Sequence, residues 1–352
     1  MSDRRPKEEP EGKRRRRLVV RIAIQVLAVA VVVFFFLRER HLFGGFDQTM
    51  SRVVWYWLVL ALVVEMASIV PLAEAQRVVL SVGGVRAPRW EMILVTLASN
   101  AISMSVPGGF AVAEGYAYNR YRRFGATQAV AAWAELAAGS VAFCALAGIA
   151  LAGAIIDSGS IADVLLPVLS VVFLGSAAAA AVFRHPHILV AWVEWIEGHV
   201  GRHLGSVVAK ASAHVRDIAR GLRGVHPTIP QWMAVFWLSA LNWLLDVACL
   251  AFAFLAVGGP VPWGAVFLAF AGTKVVSSIG ITPGGLGIVE GGLVATFVAY
   301  GSNGATAVAA VIVYRALTLI GLVGVGWVVA GVLAVRARRS RTPATVGSRS
   351  PG

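Results

Sequence analysis

Apolar runs separated by short, mostly basic segments set the rhythm of this chain. Runs of membrane-crossing length cover 18–37, 53–76, 125–156, 161–183, 231–256 and 305–335, and each predicts one helix spanning a bilayer. Two further apolar stretches, 90–119 and 263–300, do not fit a single crossing. Each is interrupted near its centre, by Pro107-Gly108-Gly109 in the first and Pro283-Gly284-Gly285 in the second. Proline removes a backbone donor and paired glycines loosen the chain, so a continuous helix ends there. Backbone freed at that depth must be covered by protein or line a wet cavity. Both stretches are therefore predicted to be re-entrant hairpins, descending over 90–105 and 263–281 and returning over 110–119 and 286–300.

The two breaks are copies of one pattern. Pro-Gly-Gly-x-x-x-x-Glu-Gly begins at Pro107 and again at Pro283, an offset of 176 residues in a chain of 352. The flanks agree as well, with Gly125-Ala126-Thr127 after the first copy and Gly304-Ala305-Thr306 after the second. Internal repetition changes the expected fold, because each copy becomes one structural half.

Composition agrees with a membrane: 58% of residues are hydrophobic and only 14% charged. The formal charge of +13 alone would suggest a nucleic-acid partner, but the basic residues occupy short loops and tails between spans. Of 31 Lys and Arg, 25 fall in segments assigned to the cytoplasm, three in the outside loop 38–52, and three (Arg21, Lys274, Arg315) within spans. Arg77, Arg86 and Arg89 precede the first hairpin and Arg120, Arg122 and Arg123 follow it, as expected for entry and exit on one face. The second hairpin ends in the uncharged loop 301–304.

The expected fold is an all-α polytopic membrane protein, with six full spans plus two re-entrant hairpins arranged as inverted repeats. Its parts are a disordered basic tail (1–17), a membrane half (18–183), an amphipathic linker (184–227), a second half (228–335) and a basic tail (336–352). The linker is read as a helix on the inner leaflet, and 18–37 as an uncleaved signal anchor. Both termini are placed in the cytoplasm of a cell whose plasma membrane holds the protein.

Candidate chemistry gathers at the hairpins. Each brings a half-helix N-terminus into the membrane just after Pro-Gly-Gly, where free N–H groups and the positive dipole end favour an anion. The candidate head-group site comprises Pro283, Gly284, Gly285, Gly287, Glu290, Arg315 and Lys274, with Pro107, Gly108, Gly109 and Glu114 from the twin. Ser105, Ser278 and Thr282 add hydroxyls. Gly285→Leu is expected to block head-group approach with little loss of folding. Glu114 and Glu290 have two readings: salt bridges to Arg315, Lys274 or hairpin N–H groups that lock the halves, or groups that carry protons. Glu65, Glu135 and Asp246 are further intramembrane carboxylates, of which Glu65 and Asp246 lie away from any breaker motif.

Catalysis is not expected. Gly284-Gly285-Leu286-Gly287 lacks the Gly-Lys-Ser/Thr ending of a phosphate loop, and no nucleophile–base constellation converges. His199 and His203 have metal-compatible spacing but sit on a surface helix, and Cys144 and Cys249 have no metal or redox spacing. No metal or cofactor is expected.

The run Thr282-Pro283-Gly284-Gly285-Leu286-Gly287-Ile288-Val289-Glu290, followed by Arg315 and preceded by the weaker twin 107–114, resembles the lysylphosphatidylglycerol synthase transmembrane region, a flippase-like integral membrane family. The resemblance covers roughly 18–335. It implies movement of a phospholipid or polyprenyl-linked lipid with an anionic or zwitterionic head group. Fused members carry a soluble aminoacyltransferase domain; here about 17 residues follow the last span, so the translocase part is expected without the synthase part. The alternative is a membrane subunit or scaffold that supports a separate lipid-modifying or envelope-assembly enzyme.

Overall fold

A computed structural model describes residues 53–105, 108–158, 225, 227–278 and 282–339. The spans expected at 18–37 and 161–183, the amphipathic stretch of the linker, the N-terminal tail, residues 340–352 of the C-terminal tail and Pro107 lie outside the described residues, whereas 336–339, expected in the tail, continue the last helix.

The described chain is helical. In order it forms α1 (Trp55–Val82), α2 (Arg89–Ser105), α3 (Gly109–Arg123), α4 (Gln128–Ser158), α5 (Ile229–Ala256), α6 (Trp263–Ser278), a 3₁₀ turn (Pro283–Gly285), α7 (Ile288–Ala299), α8 (Gly304–Arg315), a π turn (Ala316–Leu322) and α9 (Val323–Arg339). Four stretches are long and apolar enough to cross a membrane: Trp55–Val82, Gln128–Asp157, Ile229–Ala256 and the kinked Gly304–Leu333. These are four of the six expected spans. Their outward faces stay apolar, with Trp55, Val59, Val63, Trp237 and Val328 exposed. In water such a surface would be a liability; in lipid it is the solvated face. The chain is a multi-pass membrane protein.

The helices flanking Pro-Gly-Gly are different. α2, α3, α6 and α7 run 17, 15, 16 and 12 residues. At 1.5 Å per residue they reach about 18–26 Å, short of a hydrocarbon core of about 30 Å. α2 packs on α3 and α6 on α7, so each pair forms a helical hairpin. The tips turn alike: Gly108 (φ 65°) and Gly284 (φ 57°), at equivalent places in the two copies, are both left-handed, a conformation that glycine adopts at little cost.

α1 and α5 form the central pair. The amide of Val54 donates to the Ala256 carbonyl at 2.8 Å, and Asn242 Nδ2 donates to the Ser68 carbonyl at 3.0 Å. Around this pair each hairpin packs on the long helix of the other half: α2 against α9, and α6 against α4. Glycine makes both crossings close. A Cβ on Gly326 would lie 2.5 Å from the Leu97 carbonyl oxygen and 2.6 Å from Ala101 Cβ. One on Gly153 would lie 2.5 Å from Phe267 Cβ and 3.0 Å from the Gly264 carbonyl oxygen. Small residues let helix backbones approach in lipid, where no hydrophobic drive pushes them together. Both Gly-Ala-Thr flanks stand at the start of a long helix but are placed differently: 125–127 precede α4 and 304–306 form the first turn of α8. Thr127 Oγ1 accepts from the Val130 amide, and Asn303 Oδ1 accepts from the amides of Ala305 and Thr306.

Candidate functional site

The second hairpin tip is fastened to the last long helix by one side chain. Arg315 closes α8 immediately before the π turn, a device that re-aims side chains and recurs at functional sites. Its Nε donates to Glu290 Oε1 at 2.5 Å, and its Nη2 donates to the Gly284 carbonyl at 2.6 Å. Glu290 Oε2 in turn accepts the Gly287 amide at 2.6 Å. The guanidinium fork thus ties the 3₁₀ turn to the first turn of α7, and Thr282 Oγ1 donates to the Leu286 carbonyl at 3.0 Å to tighten the same bend. Side-chain exposure is 10% for Arg315 and 17% for Glu290, so this ion pair is largely, not fully, buried.

A cavity of about 100 Å³ opens beside this knot, room for several waters or one phosphate-sized group. Both hairpins build it. Ser103, Met104, Gly109 and Phe110 come from the first; Thr273, Lys274, Ser277, Thr282 and Gly284 come from the second; Tyr314, Arg315 and Thr318 close the side. Among the described residues its wall therefore holds two cations and several hydroxyls but no carboxylate. The counter-charges stand behind the cations. Glu290 is behind Arg315, and Asp246 Oδ2 takes Lys274 Nζ at 2.8 Å.

The sequence-predicted residues divide accordingly. Lys274, Arg315, Gly284 and Gly109 meet at the cavity, as does Thr282; Ser277, not singled out from the sequence, joins them in place of Ser278. Pro283, Gly285, Gly287 and Glu290 shape the turn behind the wall. Gly108 forms the other tip. Ser278 Oγ donates to the Val275 carbonyl, and Ser105 Oγ receives Trp327 Nε1, so both hydroxyls are engaged elsewhere. The free N–H groups expected at the start of α7 are in part used up, because Glu290 caps Gly287.

Three expectations change. Glu114 does not repeat the pairing of Glu290: it faces the carboxyl of Glu135 and lies near Tyr121, on the α3–α4 side. Lys274 pairs with Asp246, which sequence reading set aside because no breaker motif adjoins it. Gly285 is buried and left-handed (φ 70°), and a Cβ there would lie 2.5 Å from Val289 Cγ2. Gly285→Leu therefore tests folding rather than head-group approach. Asp246 and Glu65 are the residues that sequence reasoning undervalued; the available signal was simply a carboxylate inside an apolar span.

Two comparisons place this geometry among known proteins. Residues 22–326 match the family described as "Lysylphosphatidylglycerol synthase TM region". A "UPF0104 membrane protein" of Methanothermobacter thermautotrophicus is 24% identical over 157 residues, which cover 41% of this chain and 47% of that relative. The chain thus spans about half the length of that curated relative.

Proposed function

Starting from the fact that the chain belongs to the lysylphosphatidylglycerol synthase TM region family, we propose that it is a lipid translocase. An anionic or zwitterionic head group enters the cavity between the hairpin tips while its tails stay in lipid. The observation that carries this reading is the cavity wall, where Lys274 and Arg315 are both presented while their partner carboxylates, Asp246 and Glu290, stand behind them rather than in the wall. Such a wall favours a phosphate, whose charge-assisted hydrogen bonds are about twice as strong as neutral ones. The role is transport rather than catalysis, in the plasma membrane with both termini cytoplasmic.

The reading includes inverted halves with re-entrant hairpins. Supporting it are the 176-residue repeat, the left-handed twin glycines and the exchange of hairpins between halves at Gly153 and Gly326. Alternating access then follows as rocking of one half against the other about the fixed site. Single cysteines introduced as Arg122→Cys and Asn303→Cys will label from opposite faces, Arg122→Cys from the cytoplasm. Labelling of both from one face would sink the inverted topology.

The functional test is transbilayer lipid movement in reconstituted vesicles. Lys274→Gln removes a charged donor worth about 1.5–3 kcal/mol and will slow movement by roughly tenfold or more. Arg315→Lys, which keeps the charge but loses the fork, will slow it less. Unchanged rates in both, with monodisperse protein, would remove the translocase reading. They would favour a scaffold for a separate lipid-modifying enzyme.

A further inference from the structure

The Glu290–Arg315 knot is closed on itself, whereas Lys274 stands at a boundary. Its Nζ lies 2.8 Å from Asp246 Oδ2 and 5.2 and 5.0 Å from the ring centres of Trp243 and Phe270. The same side chain lines the cavity and is 24% exposed. Beside Asp246 lies Glu65 of α1, only 3% exposed, whose Oε2 has no hydrogen-bond partner among the described residues. The ionisable groups facing Glu65 are Asp246 and Cys249 from α5, Lys274 from α6 and Tyr314 from α8. Two buried carboxyls therefore share one cation. A net negative charge sealed from water costs several kcal/mol, and a proton cancels it.

We propose that the Glu65–Asp246 carboxyl pair is a proton-binding site coupled to the cavity: when Lys274 turns from Asp246 to a phosphate group, the pair takes up a proton. This rests on the anion-site reading above. The step balances simply. The ammonium keeps its protons and exchanges one ion pair for another. At rest one proton neutralises Glu65 beside the Asp246–Lys274 ion pair; when Lys274 leaves, a second proton, arriving from solvent through the cavity, neutralises Asp246, so both carboxyls end protonated. The Trp243 and Phe270 rings stabilise the cation near both positions, which lowers the cost of the turn. The occupied state holds one more proton than the empty one, so anion affinity rises as pH falls, by up to about tenfold per pH unit. By reciprocity, proton binding strengthens head-group binding. A transmembrane proton gradient then sets direction: loading on the acidic side and release on the alkaline side.

The test is calorimetric titration of the full-length, detergent-solubilised protein in two buffers of different ionisation enthalpy. One arm adds inorganic phosphate, the other short-chain phosphatidylglycerol. The slope of apparent enthalpy against buffer enthalpy counts protons taken up. The expected slope is about one proton per bound anion, and the wild-type Kd should tighten as pH falls. Uptake in both arms identifies phosphate alone as sufficient; uptake only with phosphatidylglycerol identifies the lipid head group. Single substitutions leave one carboxyl able to take the proton, so the decisive variant is Glu65→Gln with Asp246→Asn. It will bind more tightly, with Lys274 released, and without buffer dependence. Wild-type binding with zero slope and a pH-independent Kd overturns the proton site while leaving the cavity reading intact. So does a double variant that retains the uptake. Absence of binding in both arms overturns the cavity reading and this proposal with it. The wild-type measurements need no variant, so they decide the matter even if the double variant does not fold.

Discussion

Arg315→Ala will lower stability by about 3–5 kcal/mol, measured by equilibrium unfolding in detergent micelles. The pair it breaks is largely buried, and removal of the guanidinium strands two acceptors at once, the Glu290 carboxylate and the Gly284 carbonyl. Glu290 keeps only the Gly287 amide. Arg315→Lys retains the charge but cannot fork to both acceptors, so it will cost about one net hydrogen bond, roughly 1 kcal/mol. Replacing both partners, as Glu290→Gln with Arg315→Met, will recover much of the alanine loss, since no uncompensated charge is left behind. That non-additivity is the signature of a shared ion pair. If Arg315→Ala unfolds within 1 kcal/mol of wild type, taken as the ordinary size of one net hydrogen bond, the knot is not what holds the tip to α8.

The second large effect belongs to Gly285. Leucine there meets two penalties that add. A left-handed backbone costs an L-residue about 1–2 kcal/mol, and the Cβ must displace Val289 from 2.5 Å, an overpacking cost of about 1–3 kcal/mol. Gly301 separates the terms, because it is left-handed (φ 85°) with nothing within 4 Å of a built Cβ. Gly301→Ala will therefore show the backbone penalty alone. Unfolding of Gly285→Leu and Gly301→Ala is measured side by side; equal losses would mean that Val289 yields freely. A larger loss at Gly285 means that the turn behind the cavity is rigid.

Much of the fold was legible because its determinants are local. The hairpin helix expected over 263–281 forms as Trp263–Ser278, and its partner expected over 286–300 forms as Ile288–Ala299. The reason is the same in both: Pro283 and the glycines after it cannot continue a helix, whatever surrounds them. The repeat was equally legible, and Gly108 and Gly284 turn alike because identical local sequence asks for the same backbone. Span 305–335 was read as one helix, but the backbone divides it at a π turn beginning right after Arg315. Nothing in the apolar pattern marks that point, since a π turn keeps the same residues buried and changes only their direction.

What the sequence determined by itself was the class, the boundaries of most elements and the place of the two breaks. It also placed the two intramembrane cations, Lys274 and Arg315, close to the second break. What only the tertiary structure decided was the pairing. Lys274 meets Asp246, 28 residues away, and Arg315 meets Glu290, 25 residues away. Glu114, identical to Glu290 in its local motif, finds Glu135 instead of an arginine. A membrane makes every buried charge seek a partner, but helix order, spacing and propensity do not say which one is within reach. That is set by how α1 and α5 cross and how each hairpin lodges against the other half, a matter of close packing at glycines such as Gly153 and Gly326 whose fit no local pattern encodes.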